Sequence, residues 1–202
     1  MTKLSANRFF IIGIFFCVLV CTALCLGACK SQKKTSTQLV IDYYEGYESG
    51  DFNHIKNTIN DSISITSGDY VSTYSPTRFY DFFRWDSVLQ TNKKIKTIAD
   101  TDSGVLVTIS YSSERYTFLN NNHLTCNYIF NFENDKISTI TELDCPNADW
   151  STWEKQVDSL VNWTKKNHPE LDGFINDLTM KGALNYVKAI ELYESRTSNK
   201  EQ

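Results

Sequence analysis

From Val105 to Leu143 the chain places apolar residues at every second position, broken only by polar turns. Val105, Val107, Ile109 and Tyr111 alternate with Leu106, Thr108 and Ser110. Leu124, Cys126, Tyr128, Phe130 and Phe132 repeat the pattern, and Ile137 to Leu143 follow after Asn134-Asp135. Successive side chains of a strand point to opposite faces, so each run reads as a strand with one buried face. Tyr116 and Phe118 extend the alternation, and Asn120 to Asn122 make a polar turn. Asn134-Asp135 suits a hairpin turn whose central residues take positive φ. Together these segments predict an antiparallel meander of about four strands.

Upstream of Lys93 the period is helical. Leu39, Val40, Tyr43, Tyr44 and Tyr47 share a helix face, with hydroxyls at Thr35 to Thr37 to cap it and Gly50 to stop it. Asp51 caps a second, short helix carrying Phe52, Ile55 and Ile59. Ile63 and Ile65 alternate with Ser62, Ser64 and Thr66 as a short strand. Ser75-Pro76 opens a third helix to about Leu89, apolar at Phe79, Phe82, Phe83 and Leu89. The order implies an α+β fold, a curved antiparallel sheet with three helices on one face. Beyond Cys145-Pro146, Trp150, Trp153, Val157, Leu160 and Val161 mark a helix that ends at His168-Pro169. Leu171, Phe174, Ile175 and Leu178 form a further stripe, and Thr179 starts a last helix through Tyr186, Ile190 and Tyr193. This tail either covers a face or edge of the domain, or forms a dimer interface or lid.

With 41% apolar and 13% aromatic residues in 202, the chain has the material for a core and is not a disordered or low-complexity sequence. Residues 1–8 are short and basic, and residues 9–28 carry no charge. The stretch ends in Leu26-Gly27-Ala28-Cys29, which resembles the bacterial lipobox. That resemblance implies a signal peptide over 1–28 and acylation of Cys29, with two or more acyl chains as a stable membrane anchor. Lys3 and Arg8 leave with the signal, so the net charge falls from −4 to −6. So acidic a chain, with no dense basic stretch, lacks the footprint of a nucleic-acid binder. Residues 29–38 read as the lipidated Cys and a polar tether, which at ~3.5 Å per residue reaches at most ~35 Å. The sequence thus divides into signal (1–28), tether (29–38), α+β domain (39–145) and helical extension (146–196). Lys30 after the lipidated Cys favours the outer membrane over the inner one, with the domain facing the periplasm.

Residues 37–145 resemble the nuclear-transport-factor-2-like superfamily. The carriers are the helix ending Tyr47-Glu48-Ser49-Gly50-Asp51, the short helix after it, the strand Ser62 to Thr66 and the hairpin Phe130 to Ile137. The resemblance implies a cone whose open end holds a mostly apolar pocket. Isomerases of that family pair a Tyr of the first helix, as oxyanion donor, with an Asp near the end of the first strand, as base. Counting from Gly50-Asp51, Tyr43 falls at the Tyr position and Ser67 at the Asp position, with Asp69 two residues on. A neutral hydroxyl cannot take the proton, so the expectation leans away from catalysis. Tyr43, Ser67, Asp69, Phe79, Phe83, Trp85 and Tyr128 are the candidate pocket residues, and Arg84, Trp85 and Asp86 are candidates for its mouth. The leading reading is a lipid-anchored envelope module that binds a small apolar ligand or a protein partner, with a homodimer as one form. Its rivals are an isomerase, dehydratase or cyclase working in the cone, and a structural accessory of an envelope complex.

His54, His123 and His168 show no metal-ligand spacing, and no phosphate loop or nucleophile motif is present, so neither metal nor cofactor is expected. Cys126 and Cys145 flank the Asn134-Asp135 hairpin. If 134 pairs with 137, the cysteines face each other and an oxidising compartment permits a disulfide. A strict two-residue turn pairs 133 with 136 and leaves them on a diagonal.

Overall fold

A computed structural model describes residues 33–198. The first helix, α1 (Ser36–Ser49), starts where the Thr35 hydroxyl accepts from the Gln38 amide, and stops at Gly50, whose φ of 68° is the left-handed region that favours glycine. Asp51 accepts from the Asn53 and His54 amides and opens α2 (Phe52–Lys56). The two helices pack closely because Gly46 has no side chain: a Cβ there would lie 2.5 Å from Ile55 Cγ1.

Strand β1 (Ile59–Ser67) turns at Gly68-Asp69 into β2 (Tyr70–Tyr74), an exposed strand not expected from the sequence. Helix α3 (Pro76–Val88) follows its Ser75 cap with Pro at the first turn. Next come β3 (Asn92–Thr101), β4 (Gly104–Ser112), α4 (Glu114–Phe118), β5 (Leu124–Glu133) and β6 (Lys136–Asp144). Tyr116 and Phe118 therefore lie on a helical turn and not on a strand. An apolar pair two residues apart is too short to establish either period, and Ser113, which caps the Tyr116 amide, is the local signal of the helix.

The six strands form one sheet in the order β2-β1-β6-β5-β4-β3. The pairs are antiparallel except β1 with β6, which run parallel, so the sheet is mixed and not wholly antiparallel as expected. β1 reaches β6 only after the intervening strands have been laid down, and that crossover sets the parallel pairing. Val40, Tyr43, Ile55, Ile63, Phe79 and the inward residues of β4 to β6 make one core between α1, α3 and the sheet.

The β5–β6 hairpin settles the cysteine register. Asn134 and Asp135 have φ of 51° and 61°, and Glu133 pairs with Lys136 as in a strict two-residue turn. Two bulges, at Asn131/Phe132 and Asn127/Tyr128, then each shift the register by one, until Asn127 pairs with Asp144. Cys126 and Cys145 are joined as a disulfide, with Cα atoms 4.0 Å apart.

The tail is α5 (Trp150–Asn167), two short 3-10 turns and α6 (Met180–Ser198). Leu160, Phe174, Ala183, Tyr186 and Ile190 bury against Trp85 of α3 and Leu89, its C-cap, a second core beside the first. Among the described residues no helix is long and apolar enough to cross a membrane. Cys29 and the expected signal lie outside the described residues.

Candidate functional site: a tyrosine-lined cavity

Between α1, α3 and the sheet lies a cavity of about 250 Å³. Tyr43, Tyr44 and Tyr47 come from α1, Trp85 and Asp86 from α3, Tyr111 from β4, Tyr116 from α4, and Tyr128 from β5. Burial pushes the phenols of Tyr43, Tyr44, Tyr47, Tyr111 and Tyr128 well above the ordinary tyrosine range, because the charged form loses its hydration. Tyr116 is pushed by burial up to about 12, with the Arg115 guanidinium pulling the other way. At neutral pH these six hydroxyls are therefore protonated and able to donate.

Two carboxylates share the wall. Asp86 meets Lys93 of β3 at 2.8 Å, each side chain 10% exposed. The Lys93 ammonium also sits 3.5 Å from the centre of the Tyr47 ring. Glu142 of β6 stands directly opposite Tyr128 in the sheet, so both point to the same face. Tyr128 donates to one Glu142 oxygen at 3.1 Å, and the Ser67 hydroxyl donates to the other at 2.9 Å.

A cation completes the wall. Arg115 lies 4.9 to 5.6 Å from the ring centres of Trp153, Tyr186, Trp85 and Tyr116. Its Nε and the Trp85 Nε1 are buried without a hydrogen-bond partner. A polar group left so costs on the order of 1–3 kcal/mol.

Of the residues proposed from sequence, Tyr43, Ser67, Trp85 and Tyr128 line this cavity. Asp69 does not: it sits exposed on the β1–β2 turn, beyond the strand that carries Ser67. Phe79 is fully buried in the core, and Phe83 is buried facing a separate open groove with Phe52 and Tyr80. The phase of α3 places Trp85 and Asp86 inward and leaves Arg84 exposed, donating to the Met180 sulfur. Lys93, Tyr111, Arg115, Tyr116 and Glu142 were not singled out from sequence. Strand alternation puts Tyr111, Tyr128 and Glu142 on definite faces, but which faces share a cavity depends on the strand order.

Among the described residues two groups bring metal-type ligand atoms together. Cys126, Glu142 and Cys145 are one, but both sulfurs are spent in the disulfide and offer no thiolate. Asp42, Glu45 and His54 are the other, their atoms within 4.8 Å of one another; Asp42 is buried and accepts from Gln38. Gly46 is what lets α2 bring His54 to that corner.

No family model matches this chain, and no curated protein matches it. Solved structures do. An NTF2-like protein of unknown function from Cytophaga hutchinsonii is 10% identical, covers 57% of this chain and 95% of its own, and has a TM-score of 0.46. Bal32a, from a soil-derived mobile gene cassette, is 18% identical over 59% of this chain and 94% of its own, with a TM-score of 0.46. An LEH-like epoxide hydrolase from M. tuberculosis is 13% identical over 64% and 91%, with a TM-score of 0.43. These are likenesses of chain path and say nothing of this chain's chemistry. The mixed six-stranded sheet, with helices packed on one face and the cavity between them, makes this an α+β domain with a C-terminal helical extension.

Proposed function

We propose that this protein is a lipid-anchored envelope module that binds a small molecule in the tyrosine-lined cavity and does not transform it. The observation that supports binding without turnover is the state of the two carboxylates. A general base needs a carboxylate free to take a proton from substrate. Asp86 is held by Lys93, and each oxygen of Glu142 already accepts from a hydroxyl, Ser67 or Tyr128. Ser67 at the expected base position thus serves to hold Glu142. The anchor follows from the Leu26-Gly27-Ala28-Cys29 ending, and the cysteine pair suits an oxidising compartment.

A second reading has one specific support. Glu142 hydrogen-bonded to a buried phenol is a carboxylate and a donor side by side, the pairing that proton transfer beside a carbonyl uses. It would make the protein an isomerase-, dehydratase- or cyclase-type enzyme.

Native mass spectrometry of the full chain, released from bacterial membranes in detergent, tests these readings together. The binding reading expects a mass with acylated Cys29 plus a retained small molecule, and the same bound molecule in Glu142→Gln. Conversion of that molecule by the wild type, lost in Glu142→Gln, would favour the enzyme. A Cys29→Ser chain that still carried acyl groups would sink the anchor assignment.

A further inference from the structure

We infer that the molecule taken by the cavity is a small flat carboxylate, its anionic group seated on Arg115 and Trp85. This deepens the binding reading above and rests on it.

The lining carries four charged side chains, and three of them have partners. Lys93 and Asp86 pair with each other, and Glu142 has a hydroxyl donor on each oxygen. Arg115 is different. Among the described residues no carboxylate forms an ion pair with it; aromatic faces and the Tyr116 hydroxyl are its neighbours in this wall, and its other side borders a second cavity with Glu191 and Glu194. An arginine stays charged at any pH a protein meets, so this cation cannot be neutralised by losing its proton. Nearby aromatic faces stabilise it only in part.

The unpartnered atoms have the same sign. Arg115 Nε and Trp85 Nε1 are donors that cannot accept, and the guanidinium lies 5.5 Å from the Trp85 ring centre. What the wall lacks is an acceptor, and beside a guanidinium the acceptor that fits is an anion. Carboxylate oxygens match the guanidinium fork in geometry as well as charge. A cationic ligand has no such place, since both carboxylates of the wall are engaged.

Shape narrows the class further. A volume of about 250 Å³ holds a molecule of one or two rings and not a phospholipid or a long acyl chain. The walls are rings from α1, α3 and the sheet, which favour a flat body packed edge to face.

Benzoate, benzamide and benzylamine share a ring and differ in charge. Each would be titrated into the full chain in non-ionic detergent, with binding followed by the quenching of tryptophan fluorescence and by saturation transfer. Benzoate is expected to bind saturably, at least about tenfold tighter than benzamide, with benzylamine weaker still. Arg115→Gln should bring benzoate and benzamide to equal affinity, and Arg115→Lys, which keeps the charge without the fork, should retain part of the preference. Equal binding of all three, or a preference that survives Arg115→Gln, would overturn the anion assignment while leaving the cavity as a binding site. If none of the three binds, the carboxylate assignment falls. A retained molecule in native mass spectrometry then decides the cavity reading separately, because it reports any bound species whatever its charge.

Discussion

Asp86 and Lys93 meet at 2.8 Å across the end of α3 and the start of β3, with only a tenth of either side chain exposed. They are seven residues apart, yet they join two layers of the domain, helix to sheet. Removing one partner leaves the other charge buried and unmatched. Lys93→Met is therefore expected to destabilise the protein by roughly 3–5 kcal/mol, while Lys93→Met with Asp86→Asn should recover most of that loss. Denaturant unfolding of the three chains checks it, and a single variant as stable as the wild type would show the pair to be solvated.

The helices were legible because their ends are written in side chains. Thr35, Asp51 and Ser75 each accept from an amide of the first turn, and Gly50 takes the left-handed conformation that ends α1. Strand β2 was not legible, since Tyr70 and Val71 are exposed and nothing alternates around them. The cavity was half legible for a related reason. Tyr43 and Tyr128 announce themselves as apolar-face residues, but Lys93 and Glu142 look like ordinary surface charges. Only the strand order, which brings β6 beside both β1 and β5, sets Glu142 between Ser67 and Tyr128.

The buried phenols predict loss of stability in alkali. A tyrosine loses its proton near pH 10 in the unfolded chain. Tyr116 holds its proton to about 12, and Tyr43, Tyr44, Tyr47, Tyr111 and Tyr128 are raised by burial as well. Between those limits the unfolded state gives up protons that the folded state keeps. Their contribution is intact below pH 10 and is lost as pH rises through the folded values. Thermal unfolding measured across that range should fall steeply; a flat profile would mean that these hydroxyls reach water.

The Cys126–Cys145 disulfide closes a loop with a sequence separation of 19. In the chain-entropy model such a loop constrains the unfolded state by about 3 kcal/mol. The Cys126→Ser/Cys145→Ser double variant should lose roughly that much stability, and reductant should bring the wild type to the same midpoint. If reductant leaves the wild type unchanged, the bond does not form in solution.

The last prediction concerns how the tail is held. Gly182, in the first turn of α6, packs so tightly that a Cβ would overlap the Asp177 carbonyl oxygen and the Asp177 side chain. Backbone blocks one side of it, so Gly182→Ala must push α6 away from its seat. Its neighbour Ala183 and, one turn on, Tyr186 belong to the core that buries Trp85, and Trp85 is also a wall of the cavity. The substitution should therefore cost about 1–3 kcal/mol as an overpacked site and also loosen the cavity wall. Gly173→Ala is the control. Its φ of 84° strains a side chain, but a Cβ there meets no atom within 4 Å. It should destabilise the chain while leaving ligand affinity unchanged, whereas Gly182→Ala should weaken both. If Gly182→Ala binds ligand as the wild type does, α6 covers α3 without shaping the cavity.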